Sequence, residues 1–486
     1  MAKTTLQILD EVNIKFTDLD VVCRRKMVES LEFFVPGAKY LPAVRLGRWN
    51  GKMSYCTMGG SSYVNLLDKL LPIVQEHGYE VEVDDQRQPT EEFEFEEVLE
   101  DSYSHILWPK GHPKAGEPVM VRDHQLEVIN SYLNNITGIN IAPTGAGKTI
   151  ITAILSHKVQ PYGRSIVIVP TKDLVTQTEE DYINFGLDVG VFFGDRKEYR
   201  KTHTICTWQS LESLAKKSKE QDLEIDINAF FEGVVCVIVD EVHKAKAAVL
   251  RQLLSGYLAN APIRWGLTGT MPEEEADKVG VVACIGPLLG AINTKDLQDK
   301  GILAQLHVNV WQLQDLGEVA FDNYQSELKW LTTSSPRLKF LAKQLIDMAE
   351  TGNTLILVDR VETGEKLQAL IPDSVFISGK MKSKDRKEEY KEVQEVDGKI
   401  IIATYGVAST GINIVRIFNL VLFEAGKSFV RVIQSIGRGI RVAADKDFVN
   451  VYDVCSNCKF SKRHLTKRKK FYTEAQYPYT IKKVQY

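Results

Sequence analysis

Ala142-Pro143-Thr144-Gly145-Ala146-Gly147-Lys148-Thr149 follows a short apolar run, Ile139-Asn140-Ile141, and precedes the helix-like segment Ile150-Ile151-Thr152-Ala153-Ile154-Leu155. The pattern reads as strand, tight turn, helix. Such a turn lets backbone N–H groups close around a phosphate chain at the positive end of a helix. Gly145 and Gly147 permit the turn, and Pro143, Thr144 and Ala146 complete its wall. Lys148 is placed to reach β- and γ-phosphates, and the Thr149 hydroxyl to hold Mg²⁺. Ala142 stands where the usual first glycine would be, so the strict pattern is not met.

A second stretch points the same way. Val234-Val235-Cys236-Val237-Ile238-Val239 is continuously apolar, as expected of a parallel strand covered on both faces. It runs into Asp240-Glu241-Val242-His243. Carboxylates at the C-terminal end of such a strand face the ligand crevice of an open α/β sheet. Asp240 suits a Mg²⁺ ligand and Glu241 a group that polarises an attacking water.

The pair A-x-T-G-x-G-K-T and D-E-x-H resembles the superfamily 2 helicases and translocases. With the N-terminal region included, the chain resembles the UvsW-type helicases of large bacteriophages. The motor resemblance spans roughly residues 105–455; the N-terminal one is weaker. It implies two tandem RecA-like parallel-sheet domains preceded by a small α+β accessory domain. It further implies an ATP hydrolase coupled to movement on DNA.

Composition is that of an ordinary folded protein: 486 residues, 44% hydrophobic and 26% charged, enough for two to four domains. Net charge is −4, so nucleic-acid binding must reside in local patches. No apolar run approaches a membrane span, which argues against a membrane partner. Seven cysteines, mostly in apolar strands, suit a reducing cytoplasm, the host's if the chain is phage-encoded.

In order, residues 1–83 read as the accessory domain. Strands are expected at Val12–Phe16 and Tyr79–Val83, with helices at Arg24–Phe34 and Tyr63–Gly78. No acid lies between Glu32 and Asp68, while Lys39, Arg45, Arg48 and Lys52 do, interleaved with Tyr40, Trp49 and Tyr55. Two readings stand: phosphate contact with base stacking, or a hairpin whose aromatics pack inward. The likeness of Arg45 to Lys52 to UvsW-type proteins favours DNA contact through Arg45, Arg48, Trp49 and Lys52. Residues 84–118 read as a linker whose acidic run either faces solvent or mimics nucleic acid.

The first motor domain is expected over 119–306. Arg122-Asp123-His124-Gln125 resembles the family's adenine-reading element, with Gln125 lying 23 residues before Lys148. Pro170 and Thr171 resemble a first DNA contact, where a cap hydroxyl and free helix N–H groups suit phosphate. Thr207 and Gln209 resemble a second, with Trp208 assigned to the core ahead of base stacking. In the family, His243, Thr268 and Thr270 would couple nucleotide state to domain movement.

The second motor domain is expected over 307–455. Strands fall at His307–Leu313, Asn353–Val358, Ser374–Ile377, Lys399–Ala403, Leu420–Phe423 and Phe448–Tyr452. This half has no P-loop, so the resemblance assigns it other parts. Ser378 and Arg386 look like DNA-backbone contacts. Thr404 would touch DNA phosphate, and Gly411 and Asn413 the ribose of ATP, although many relatives carry Asp at the last position. Gln434, Arg438 and Arg441 match the arginine-finger helix. Arg438 and Arg441 share one helix face, able to stabilise transition-state charge on γ-phosphate oxygens. Residues 456–486 hold nine Lys or Arg from Lys459 onward against Glu474 alone. They read as a basic tail, either an arm for the nucleic-acid backbone or a solubilising extension.

The expected activity is therefore ATP-dependent unwinding or branch migration of forked and junction DNA in replication, recombination or repair. ATP and Mg²⁺ are the expected cofactors, and single-stranded, forked or junction DNA the partner. An RNA helicase, or the motor subunit of a restriction-type complex, is the alternative.

Overall fold

Alternation in Ala2–Ile8, whose Thr4 and Leu6 point inward, builds a strand that the sequence pattern did not single out. The computed structural model describes residues 2–35, 37–88, 92–110, 114–219, 226–242, 252–315, 321–381, 388, 396–411, 416–426 and 446–486. Strand β1 (Ala2–Ile8) pairs antiparallel with β2 (Asn13–Phe16) and parallel with β6 (Tyr79–Asp85). With β5 (Ser61–Tyr63) they form a sheet in the order β5-β2-β1-β6. The helices Val21–Ser30 and Leu67–Glu76 cover it. Asp20 starts the first by accepting the Cys23 N–H at 2.7 Å. That helix ends at Ser30, short of the expected Phe34, because residues 32–34 form β3 (Glu32–Phe34), antiparallel to β4 (Lys52–Ser54).

Among the described residues the first motor sheet has eight strands. They are β7 (Thr137–Ile141), β8 (Arg164–Val169), β9 (Val189–Phe193), β10 (Arg196–Lys197), β11 (His203–Thr207), β12 (Val234–Asp240), β13 (Ile263–Thr268) and β14 (Leu288–Ala291). Their order is β10-β9-β11-β8-β12-β13-β7-β14, parallel apart from the β10 edge. Val237, Ile238 and Val239 are fully buried, as the apolar run requires. Asp240 pairs with Leu267 and Thr268 with Ile141. The register thus brings the C-terminal ends of β12, β13 and β7 side by side.

The second motor sheet comprises β15 (Gln305–Leu313), β16 (Thr354–Val358), β17 (Ser374–Ile377), β18 (Ile400–Thr404), β19 (Asn419–Phe423), β20 (Phe448–Ser456) and β21 (Tyr479–Val484). Their order is β17-β18-β16-β19-β20-β15-β21, and every pairing is parallel. Each expected strand of this half is present within two residues at its start.

Two segments and one boundary differ from the sequence reading. The C-terminal segment is built into the second sheet: Lys459–Glu474 is a helix and β21 an edge strand beside β15. Its pattern of Ser461, Leu465, Arg468 and Tyr472 puts four buried side chains on one helix face, which the preponderance of lysine had masked. The acidic segment expected as a linker instead packs on the first motor sheet's helices. Val98 exchanges hydrogen bonds with the Asn130 side chain at 2.9 Å, and Tyr103 is buried against His157. Phe93 and Phe95 both meet Tyr162 edge-on, so apolar residues between the acids hold this stretch down. Contacts divide the chain into one unit of residues 1–142 and 147–291 and another of 143–146 and 292–486, a boundary 15 residues before the expected one. No helix among the described residues is long and apolar enough to cross a membrane.

Candidate functional site

The residues of the first unit expected to bind ATP meet where three strand ends line up. Gly147 stands immediately before the helix Lys148–Val159, at φ 84° and ψ 37°. A left-handed backbone is easy for glycine and costs an ordinary residue about 1 kcal/mol or more. A Cβ there would lie 2.2 Å from Gln125 Nε2, so side-chain space and backbone conformation both demand glycine. Gly145 is likewise left-handed at φ 91°. Ala142, the substitute for the usual first glycine, is fully buried and donates its N–H to the Thr268 carbonyl at 2.8 Å. A methyl group fits at that position because the chain is still extending from β7 beside β13.

Lys148 Nζ donates to Glu241 Oε1 at 2.6 Å and lies 3.9 Å from Asp240 Oδ1. The Glu241 backbone is left-handed at φ 54°, and its N–H donates to Asp240 Oδ1 at 2.9 Å. Its other carboxylate oxygen accepts the Gly269 N–H at 3.4 Å. Glu241 is therefore held by a strained backbone, a cation and a strand-end N–H. Such strain persists only where surrounding contacts fix it, and it concentrates at functional sites. Thr268 donates its hydroxyl to the Thr270 carbonyl at 2.7 Å, which shapes the turn leaving β13. The buried Thr270 hydroxyl has no hydrogen-bond partner among the described residues. Thr149 is half-buried in the first helical turn, where its carbonyl accepts from Thr152.

Gln125 is buried, and its Oε1 accepts the backbone N–H of Arg122 at 3.0 Å. The carboxamide expected to read adenine thus closes the start of its own helix, Asp123–Leu133, while its nitrogen end faces Gly147.

The expected nucleic-acid contacts separate by exposure. Pro170 is buried. Thr171 caps the helix Lys172–Asn184 by accepting from the Leu174 N–H at 3.4 Å. Thr207 is 3% exposed and shares its hydroxyl with Ser210 at 2.9 Å, leaving Gln209 as the exposed side chain of that strand end. Trp208 lies in the core cluster of this sheet. In the second unit, Ser378 is buried just past β17, and Thr404 ends β18 half-buried. Gly411 closes the helix Tyr405–Gly411. His243, Arg386, Asn413, Gln434, Arg438 and Arg441 lie outside the described residues.

The N-terminal module is fixed to the unit that holds Lys148. Tyr55 is 2% exposed, and its hydroxyl donates to the Ala276 carbonyl at 2.7 Å. Val279 and Ala283, on the helix Glu275–Ile285, join the module's own core cluster. Glu11 donates its N–H to the Ala259 carbonyl at 3.1 Å. Of the aromatics in the basic stretch, Tyr55 is therefore a docking residue, and Trp49 donates its indole N–H to the Lys52 carbonyl at 2.8 Å. Lys52 pairs with Glu32 at 2.6 Å. Arg45 and Arg48 are exposed, as are Tyr40 at 65%, Phe34 at 71% and Leu46 at 65%. Phe34 and Leu46 went unremarked in the sequence. Their signal was the apolar residues left among basic ones, on elements too short to bury them.

Comparison with known proteins agrees with this geometry. The family described as "Type III restriction enzyme, res subunit" matches residues 118–273, and "Helicase conserved C-terminal domain" matches 337–443. The chain is 26% identical to the ATP-dependent DNA helicase uvsW of Enterobacteria phage T4 over 483 residues, covering 94% of this chain and 92% of that one. It is 24% identical to the DNA 3'-5' helicase XPB of Kineococcus radiotolerans, over 74% of this chain and 64% of that one. Among solved structures, S. cerevisiae Dbp5 bound to RNA and ADP BeF3 aligns with a TM-score of 0.53 at 14% identity. That alignment covers 76% of this chain and 90% of that one, and supports the two-domain fold. Two matched motor domains in the expected order, over two parallel sheets, make this chain a superfamily 2 ATP-dependent helicase resembling the UvsW type.

Proposed function

We propose that the chain unwinds or branch-migrates forked and junction DNA, using the first unit to hydrolyse ATP and the N-terminal module to grip duplex arms. The observation that carries this reading is the docking of Tyr55 on Ala276, which ties the module's acid-free basic stretch, between Glu32 and Asp68, to the unit containing Lys148 and Glu241. A module so fixed would move with the ATPase unit rather than swing on a tether.

The residues fit ATP with Mg²⁺: a glycine cradle that a Cβ would fill, a lysine at the helix start, and two carboxylates at the adjoining strand end. Lys148 would exchange Glu241 for phosphate oxygens. Thr149 and Asp240 would hold the metal, which supplies charge neutralisation at the phosphates. Glu241, released from the ammonium, would orient the attacking water. Arg438 and Arg441 are assigned to γ-phosphate charge on their motif alone.

ATP turnover and strand separation measured with single-stranded, forked and junction DNA and with RNA, side by side, test the reading. Unwinding strongest on forks and junctions is expected. Equal or greater activity on RNA duplexes would overturn the DNA assignment.

A further inference from the structure

The helix Lys459–Glu474 is two-faced in an unusual way. Ser461, Leu465, Arg468 and Tyr472 form its buried stripe. Arg468 is consumed inside: its Nε and Nη2 meet the Asp453 carboxylate at 2.8 and 2.9 Å, and Tyr472 donates to the same carboxylate. Glu327 accepts the N–H groups of Phe460 and Ser461 at 3.0 and 2.6 Å, so a carboxylate already answers the positive end of the helix. The exposed face is a separate matter. Lys459, Lys462, Arg463, Lys467 and Lys470 are all exposed. At 3.6 residues per turn they occupy an arc of about 140° opposite the buried stripe, over a rise of about 16 Å. Among the described residues no carboxylate forms an ion pair with any of them.

This row works against the isolated helix. Lys459 and Arg463, and Arg463 and Lys467, are like charges at i and i+4, each pair costing a few tenths of a kcal/mol. A polyanion turns that cost into attraction. We propose that this face is a second DNA-binding surface, taking the phosphate backbone of a duplex. A duplex presents a charge about every 1.7 Å of its axis, dense enough to face the whole row. No exposed apolar side chain lies between Lys459 and Glu474, which argues against a membrane surface. Phe460, the ring within the row, is half-buried, with Lys459 Nζ 5.6 Å and Arg463 5.9 Å from its centroid. It is thus covered rather than offered to a base, which argues against a single strand. The surface depends neither on the ATP-site assignment nor on the N-terminal module.

The test replaces Lys462, Arg463, Lys467 and Lys470 together by Gln in the full chain. Fluorescence anisotropy then measures binding to a blunt duplex and to a single strand of equal length across a salt series. The duplex Kd should rise about tenfold or more at low salt, and the slope of log K against log salt should become shallower by about 3. Single-strand binding should change by less than about threefold, and a charge-keeping variant, K462R with R463K, should bind like the parent. Thermal unfolding should hold or rise slightly as the like-charge pairs are removed, and nucleic-acid-free ATP turnover should not change, so a failed ATPase would count against the proposed function and not against this surface. An unchanged duplex Kd and slope would overturn the proposal. So would an equal loss on the single strand.

Discussion

The Lys148 ammonium sits 2.6 Å from the Glu241 carboxylate, each side chain little more than a tenth exposed. A nucleotide bound as proposed would therefore compete with Glu241 for one cation. Glu241→Gln removes the competitor's charge and keeps its shape and its Gly269 contact. It should bind ATP as tightly as the parent or more so, while turnover falls about 100-fold or more. Lys148→Ala should lose both turnover and affinity. Equilibrium nucleotide binding and single-turnover hydrolysis check the pair; near-parental hydrolysis in E241Q would remove Glu241 from the chemistry.

A methyl group at Gly147 meets two obstacles, the left-handed backbone and the Gln125 amide 2.2 Å away. Gly147→Ala should displace the start of the helix Lys148–Val159, and with it Lys148. Stability should fall by about 1–3 kcal/mol and ATP affinity by at least tenfold. Gly194, also left-handed at φ 53° but with open space around it, is the control: Gly194→Ala should cost stability without touching ATP binding. Equal ATP affinity in G147A and the parent would show that the cradle tolerates a side chain.

Buried strands and the turns at their ends were legible because their chemistry is local. Val237 to Val239 are apolar since both faces of β12 are covered, and Asp240 marks where covering stops. Side-chain partnership was not legible. Arg468 looked like one more cation of a basic tail, yet it is buried against Asp453, 15 residues earlier in the chain. Tyr55 looked like a possible base stacker, yet its partner is a carbonyl 221 residues away. Acids between Phe93 and Val98 likewise hid the apolar side chains that pin that stretch. Composition reports the outward face, and contacts across the chain decide the inward one.

His203 provides a pH-dependent prediction. It is fully buried on β11, its Nδ1 is 2.7 Å from Ser165 Oγ, and its Nε2 has no partner among the described residues. Burial lowers its pKa from 6.5 to about 4, with Asp188 opposing and His157 adding to the shift. The ring is neutral in the folded chain where the unfolded chain would already be protonated. Stability is therefore unaffected by this group above about pH 6.5. It is lost as pH falls from there towards 4, by a total on the order of 3 kcal/mol. His203→Gln should remove that part of the pH dependence. Denaturant unfolding of both proteins at pH 7.5, 6 and 5 checks it, and parallel curves would show that the ring titrates alike in both states.

The N-terminal module supports the last prediction. Deleting it would uncover Val279 and Ala283, which pack in its core, so a truncated chain could fail for reasons unrelated to DNA. Point changes are cleaner. Arg45 and Arg48 are exposed, whereas Lys52 is paired with Glu32 and Trp49 is tied to the Lys52 carbonyl. Arg45→Glu with Arg48→Glu should leave unfolding and single-strand-stimulated ATPase unchanged while slowing fork and junction unwinding at least about tenfold at low salt. The deficit should shrink as salt rises, because backbone contacts by the parent are themselves weakened. Lys52→Gln should act differently, loosening the Glu32 pair and the hairpin it braces. Tyr55→Phe tests the mount: losing one buried hydrogen bond to Ala276 costs about 1 kcal/mol. If a fixed module matters, Y55F should uncouple hydrolysis from fork unwinding without weakening fork binding. Parental fork unwinding by the double arginine variant at low salt would mean that the module's basic face does not grip DNA during unwinding.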